Sequence, residues 1–293
     1  MKITESENMT MWRQKLGLSM GDSYGRPIPE VTRLLKDIGF DAISPEWDEN
    51  GQHLAYIRAA KAVGLEVQSV HAPYHKSKDM WSADEEKGNL AVEELLRCVG
   101  DCADNGVGIM VAHAFIGFED HTPTQMGLER YGRVVEAAQR RGVKIALENT
   151  EGEEYLAALM EAFRGNDTVG FCWDSGHEMC YNHSQDMLGK YGDRLLMTHL
   201  NDNLGIRDFD GRIVPRNGDD LHLLPYDGIA DWDYNVTRLK NARCPEILNF
   251  ELNIRSKPGR YENAGYSKLM VEEYLTACYQ RACRVASRLI ALG

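Results

Sequence analysis

Short apolar runs rich in β-branched residues alternate along the chain with longer stretches whose apolar positions recur at helical spacing. The runs, each read as a strand, cover 15–20 (KLGLSM), 41–44, 66–71 (EVQSVH), 107–113 (VGIMVAH), 143–148 (VKIALE), 169–174 (VGFCWD), 195–199 (LLMTH) and 246–251 (EILNFE). Helical patterns cover 29–39, 53–64, about 84–104, 123–141 and 153–163, with a short helix near Gln185, one starting at Asp231 and a last over 268–290. Gly39 and Gly64 stand where the first two should end. Strict alternation implies parallel strands joined by crossover helices. Eight such units in 293 residues predict an α/β fold, a (β/α)₈ TIM barrel forming one domain over 1–293, with an irregular segment over 1–13. An open doubly wound sheet would need a glycine-rich loop opening a helix after the first strand, and GDSYGRP at 21–27 does not open one in that way.

Composition narrows the setting. Lys and Arg number 33 against 45 Asp and Glu, a net charge of −12, which lacks the basic footprint of a phosphate-backbone binder. No apolar run approaches the ~20 residues of a membrane span, and the N-terminus lacks the apolar core of a signal peptide. The seven cysteines include no C-x-x-C pair, so reduced thiols in a cytoplasmic protein are expected, and any bound metal must be held by imidazoles and carboxylates.

In a barrel the active site lies where the strands end. Seven of the eight expected strands finish in a group able to bind a metal or move a proton: Glu46, His71, His113, Glu148, Asp174, His199 and Glu251. One such residue would read as a structural group, but the recurrence around the barrel predicts a shared site. His177 follows Asp174 by three residues, and Asp220 and His222 form an i, i+2 pair. Carboxylates and imidazoles together suit Zn²⁺, Mn²⁺ or Co²⁺. His53, His75, His121 and His183 fall in loops or at helix starts and read as solvated. The five tryptophans (12, 47, 81, 173 and 232) read as packing, with one or two expected near the pocket. Arg207, Arg212 and Arg216 lie in a long polar loop over 201–228 that could meet an acidic group.

The segments HAPY (71–74), VAHAF (111–115), ALENT (146–150), WDSGH (173–177), THLNDN (198–203), DLHLLPYDG (220–228) and NFELN (249–253), in this order, resemble the xylose isomerase-like TIM barrels. That family includes sugar isomerases, sugar epimerases and apurinic-site endonucleases. The resemblance to the epimerases implies one divalent ion per chain on Glu148, Asp174, His199 and Glu251, with His177 contacting substrate oxygens. It further implies isomerisation or epimerisation of a sugar or related polyol ketone through a metal-stabilised cis-enediolate, with Glu148 and Glu251 as acid and base. Glu154, His71 and His113 are expected to bind substrate. The endonuclease branch uses three zinc ions, and its additional ligands would match His71, His113, His177, Asp220 and His222. Three features favour sugar chemistry: the D-L-H-L-L-P-Y-D-G loop, the 21 residues from His199 to Asp220, and the net charge of −12. The loop departs from the sugar-isomerase pattern at Tyr226-Asp227, where glycine and an acid are usual. A non-catalytic polyol-binding barrel is a third alternative. The expected partner is a small sugar, with nucleic acid and membrane disfavoured and self-association left open.

Overall fold

The computed structural model describes residues 14–292 apart from 22, 120–121, 207, 210–211 and 214–215, and places only the backbone of 208–209 and 212–213. The expected N-terminal segment with Trp12, the loop residues His121 and Arg207, and the side chain of Arg212 lie outside the described residues.

Eight parallel strands alternate with helices: β1 (Lys15–Met20), α1 (Ile28–Ile38), β2 (Ala42–Pro45), α2 (Gln52–Val63), β3 in two pieces (Glu66–Val67 and Val70–His71), α3 (Glu85–Asp104), β4 (Ile109–His113), α4 (Gln125–Arg141), β5 (Lys144–Glu148), α5 (Glu153–Ala162), β6 (Val169–Asp174), α6 (Ser175–Cys180), α7 (Met187–Tyr191), β7 (Leu195–His199), α8 (Trp232–Asn241), β8 (Ile247–Phe250) and α9 (Val271–Ala291). Lys15 lies against Ile247, so the last strand returns beside the first. The bridge from Leu200 to Phe250 closes the cylinder between β7 and β8. This is a TIM barrel.

Helix ends carry the expected chemistry. Asp84, Thr124, Asp174, Asp186 and Asp231 cap helix N-termini with side-chain oxygens. The main core lies between sheet and helices, while Val111, Ala146, Cys172 and Met197 form a separate buried cluster on β4 to β7. On β1, β3 and β8 the polar groups gather: a Cβ on Gly17 would come within 2.9 Å of Asn249 Oδ1, and Gln68 donates to the Ile247 carbonyl at 3.1 Å. Gln68 lies at the break in β3, where the sequence pattern had suggested one continuous strand.

Other departures are local. The loop after β7 contains a two-stranded antiparallel pairing of 208–209 with 212–213. A helix begins at Ser175 directly after β6, before the expected short helix at Met187–Tyr191. A 3₁₀ turn over Glu262–Lys268 delays the last helix to Val271. His53 is buried, with Nε2 3.1 Å from Asp101 Oδ2, rather than solvated. All seven thiols are free. Among the described residues, no helix is long and apolar enough to cross a membrane.

The loop after β7 is fastened by Asp202, a fully buried carboxylate. It accepts hydrogen bonds from the backbone N–H of Asn203 (2.8 Å), Tyr226 (2.8 Å) and Ala230 (3.0 Å) and from Trp232 Nε1 (2.9 Å). Tyr226 sits at φ +74°, a left-handed conformation that explains why glycine is usual there. Its ring is held between Trp232, with centroids 5.6 Å apart, and the Arg284 guanidinium at 3.7 Å, and it does not line the barrel cavity. Asp202→Ala would orphan several buried donors, so we expect urea unfolding to show a loss of about 3 kcal/mol or more.

Candidate metal centre

Side chains two residues apart on a strand share a face. The apolar cluster Val111, Ala146, Cys172 and Met197 is therefore followed, one rung nearer the strand ends, by His113, Glu148, Asp174 and His199. His113 is the register partner of Glu148, and Asp174 of His199. The second pairing depends on an irregularity. Phe171 pairs with Leu195 but Cys172 with Met197, so β7 carries one surplus residue, Leu196. Without that bulge Asp174 would face Thr198, and His199 would turn to the other face. His71 ends β3 and is bridged to Glu46, while Glu251 follows β8 directly. His177 comes from α6, capped by Asp174, and Asp220 and His222 come from the loop after β7, with His222 at φ +49°.

Glu148 lies at the centre, its side chain closed to solvent. Its Oε2 is 3.2 Å from His71 Nε2 and 3.3 Å from His113 Nε2, and its Oε1 is 2.9 Å from His199 Nδ1 and 3.4 Å from His177 Nδ1. His199 Nδ1 is also 2.8 Å from Glu251 Oε2. Outward, Asp220 Oδ1 lies 3.4 Å from His177 Nε2 and 2.7 Å from His222 Nε2, and its Oδ2 is 3.0 Å from Lys257 Nζ.

Among the described residues, three overlapping groups have ligand atoms within 4.8 Å of one another: His71, Glu148 and His199; Glu148, Asp174, His199 and Glu251; and Asp174, His177 and His222. His113 Nδ1 is buried here without a hydrogen bond. Imidazole nitrogens and carboxylate oxygens that converge in this way are the donor set a divalent cation takes.

The charges are interdependent. Burial pushes the Glu148 carboxyl up, but the imidazoles of His199, His113 and His177 outweigh it and hold the group well below the usual carboxylate range. Glu251 is likewise raised by burial, but His199 and His222 together bring it down, to about 2. For Asp174 burial prevails over His177 and His222, and the carboxyl rises to about 6. Burial lowers His222, but Asp220 brings it up to about 9.

Neutral amides set the positions. Asn201 Nδ2 donates to both oxygens of Asp174, at 3.1 and 2.9 Å. Asn149 accepts from the Asp174 N–H at 2.8 Å and donates to the Asp174 carbonyl at 2.9 Å and to Asn182 Oδ1 at 2.9 Å. The Ser175 hydroxyl donates to the Asn201 carbonyl at 2.7 Å.

Above this cluster opens a cavity of about 450 Å³. Every expected strand-end residue lies in or beside it, together with His177, Asp220 and His222. Glu154 does not: it is exposed in the first turn of α5, because Gly152 at φ +75° turns the chain away before the helix starts. Glu151, just before that turn, is buried and lines the cavity instead. Among the described residues no tryptophan lines it; its aromatic walls are Tyr74 and Tyr181, and Lys257 supplies an ammonium. These residues sit in loops without periodic pattern; Tyr74 closes the HAPY segment, and only their places near the matching segments could have marked the others. His75 is exposed at the rim, as expected, and Arg216 is exposed and does not line the cavity, although Asn217 beside it does.

A family model described as "Xylose isomerase-like TIM barrel" matches residues 32–270. Uncharacterized protein y4fM of Sinorhizobium fredii is 33% identical over 152 residues, 48% of this chain and 45% of that protein, so the match spans less than half of that relative's length. Among solved structures, an IOLI protein with a bound zinc atom superposes with TM-score 0.70 at 20% identity, over 94% of this chain and 99% of that one. An L-ribulose 3-epimerase gives 0.67 at 16% identity over 95% and 97% of the two chains. The 3-keto-D-glucoside 4-epimerase YcjR from E. coli gives 0.66 at 18% over 92% and 100%. At these identities the likeness is one of fold.

Gly176 tests the amide scaffold. A Cβ there would overlap Asn201 Oδ1 and push that amide off Asp174. Gly176→Ala is expected to cost roughly 1–3 kcal/mol in thermal unfolding and to weaken zinc binding about 10- to 100-fold in a competitive chelator titration.

Proposed function

Since the chain belongs to the xylose isomerase-like TIM barrel family, we propose that it is a divalent-metal-dependent isomerase or epimerase of a sugar or related polyol ketone. The observation that carries this reading is the convergence of Glu148 and Glu251, from strands β5 and β8, on one imidazole nitrogen at 2.9 and 2.8 Å beneath a cavity of about 450 Å³. Glu148, Asp174, His199 and Glu251 would hold the ion, whose ligand atoms lie within 4.8 Å of one another. When bound, a divalent cation supplies Lewis acidity that acidifies the C–H beside a carbonyl and stabilises the resulting charge on adjacent oxygens.

The protein's own groups supply the proton transfers. Both glutamates are held as carboxylates by His199 and its neighbours, so each can accept a proton. The carboxylate acting as base takes the proton from the carbon, and the other glutamate, having taken up a proton from solvent before that step, delivers its proton to the intermediate. Delivery to the opposite face of the same carbon inverts its configuration, and delivery to the neighbouring carbon exchanges aldose for ketose. His177 and the imidazoles of His71 and His113 would orient substrate oxygens.

A second reading draws on the full set of nine groups. His71, His113, His177, Asp220 and His222 all stand round the four-residue site, as a trinuclear zinc phosphodiesterase would require. Against it, Asp220 already has the Lys257 ammonium on its second oxygen, at 3.0 Å, and the chain carries a net charge of −12.

Elemental analysis of the purified protein separates the two: one divalent ion per chain is expected, and three zinc ions would favour the phosphodiesterase. For the proton transfer, Glu148→Gln and Glu251→Gln should each abolish solvent-deuterium exchange into a ketose, read by NMR. Exchange that survives in either variant removes that glutamate from the acid–base role.

A further inference from the structure

The metal cavity does not end at its own walls. Through His75 and Ile116, which line both, it continues into a groove of about 880 Å³, roughly twice its volume. The groove runs between the segment after β3, the segment after β4 and the start of α5. Phe115, Phe118, Trp81 and Tyr155 contribute to its walls, and Ser82 and Thr122 add hydroxyls. Phe118 is 37% exposed, and its ring lies 5.8 Å from that of Tyr181, which lines the metal cavity. An aromatic border thus joins the two spaces.

The groove is built rather than incidental. Buried Arg130 donates to the carbonyls of Asp79, Met80, Ser82 and Asp84, at 3.1, 2.9, 2.6 and 3.3 Å, and so fixes one wall. Gly88 makes room for that guanidinium, which a Cβ would overlap. On the other wall Phe115 stacks on Tyr155 with centroids 4.1 Å apart and planes 7° from parallel, and Tyr155 Oη accepts from the Thr122 N–H at 2.9 Å. Trp81 ties the walls together: its Nε1 donates to the Ala114 carbonyl at 2.8 Å, and its own carbonyl accepts from the Thr124 hydroxyl at 3.0 Å.

We propose that this groove is a subsite for a second pyranose ring, so that the substrate is a keto-sugar carrying another sugar in glycosidic linkage. This rests on the isomerase or epimerase reading of the metal centre. The metal cavity alone is already large enough for a small ligand, and a free monosaccharide would leave the groove unused. The exposed Phe118 ring, with the hydroxyls of Ser82 and Thr122 and the charged groups of Lys78, Asp79 and Glu119 along the groove, suits a pyranose, which has apolar C–H faces and a polar rim. The preformed walls reduce the ordering cost of binding it.

The test compares maltulose with fructose, the same ketose with and without a second ring, by calorimetry on the zinc-loaded protein. Maltulose is expected to bind about tenfold more tightly, and Phe118→Ala should bring the ratio of the two dissociation constants close to one. Equal affinities in the wild-type protein, or an advantage that survives Phe118→Ala, overturn the subsite. Solvent-deuterium exchange into fructose is read separately. Exchange without a maltulose advantage keeps the isomerase reading and removes the subsite; a Phe118-dependent advantage without exchange into either sugar keeps the subsite and removes the isomerase reading.

Discussion

Four carboxylates gathered where water is scarce cannot all stay charged unless positive groups share the space. The barrel mouth is arranged around that constraint. Glu148, Asp174, Asp220 and Glu251 alternate with five imidazoles, and the Lys257 ammonium closes the outer side. Glu148 is the extreme case, with no solvent of its own and four imidazoles as neighbours. The pairs hold charge in a region that would otherwise expel it. The same atoms form a donor set in which a divalent cation could replace the imidazole protons.

Such an arrangement works only if the donors are held in fixed positions. Groups that do not titrate provide the restraint. Asn201 grips both oxygens of Asp174, Asn149 fixes its backbone, and Asn182 fixes Asn149. Asp202, beside Asn201, gathers the far part of the loop that carries Asp220 and His222. The strand ends therefore supply the reactive groups, and the amides after them supply the stiffness.

Much of this is legible in the sequence because buried parallel strands read as continuous apolar runs, and the first ionisable residue after each run falls at the mouth. His71, His113, Glu148, Asp174, His199 and Glu251 follow that logic. What lies beyond the strands does not. Glu154 looks equivalent to Glu151 in the sequence, and only the left-handed turn at Gly152 separates an exposed helix residue from a cavity wall. Tyr74, Tyr181 and Lys257 stand in segments whose direction is set by tertiary packing, without periodicity to announce it. His53 shows the reverse case: a helix-start histidine that reads as solvated is buried because Asp101 of a neighbouring helix provides a partner. The departure at Tyr226 is similar, since its strained backbone is held by Trp232 in the next helix and by Arg284 far along the chain.

The surplus residue in β7 affects the closing of the cylinder as well as the aim of His199. Between β7 and β8 the described residues form a single bridge, from Leu200 to Phe250. The Thr198 hydroxyl stands in for missing ladder bonds, accepting from the Asn249 N–H at 3.1 Å and donating to its carbonyl at 3.2 Å. The seam is thus stitched partly by a side chain, and it can absorb a one-residue offset that a regular ladder would transmit to its neighbours. The facing of side chains at the mouth is accordingly set strand by strand. One inserted residue in a regular strand would exchange its metal donor for the neighbour behind it, whereas β7 already contains such an insertion and owes its histidine to it.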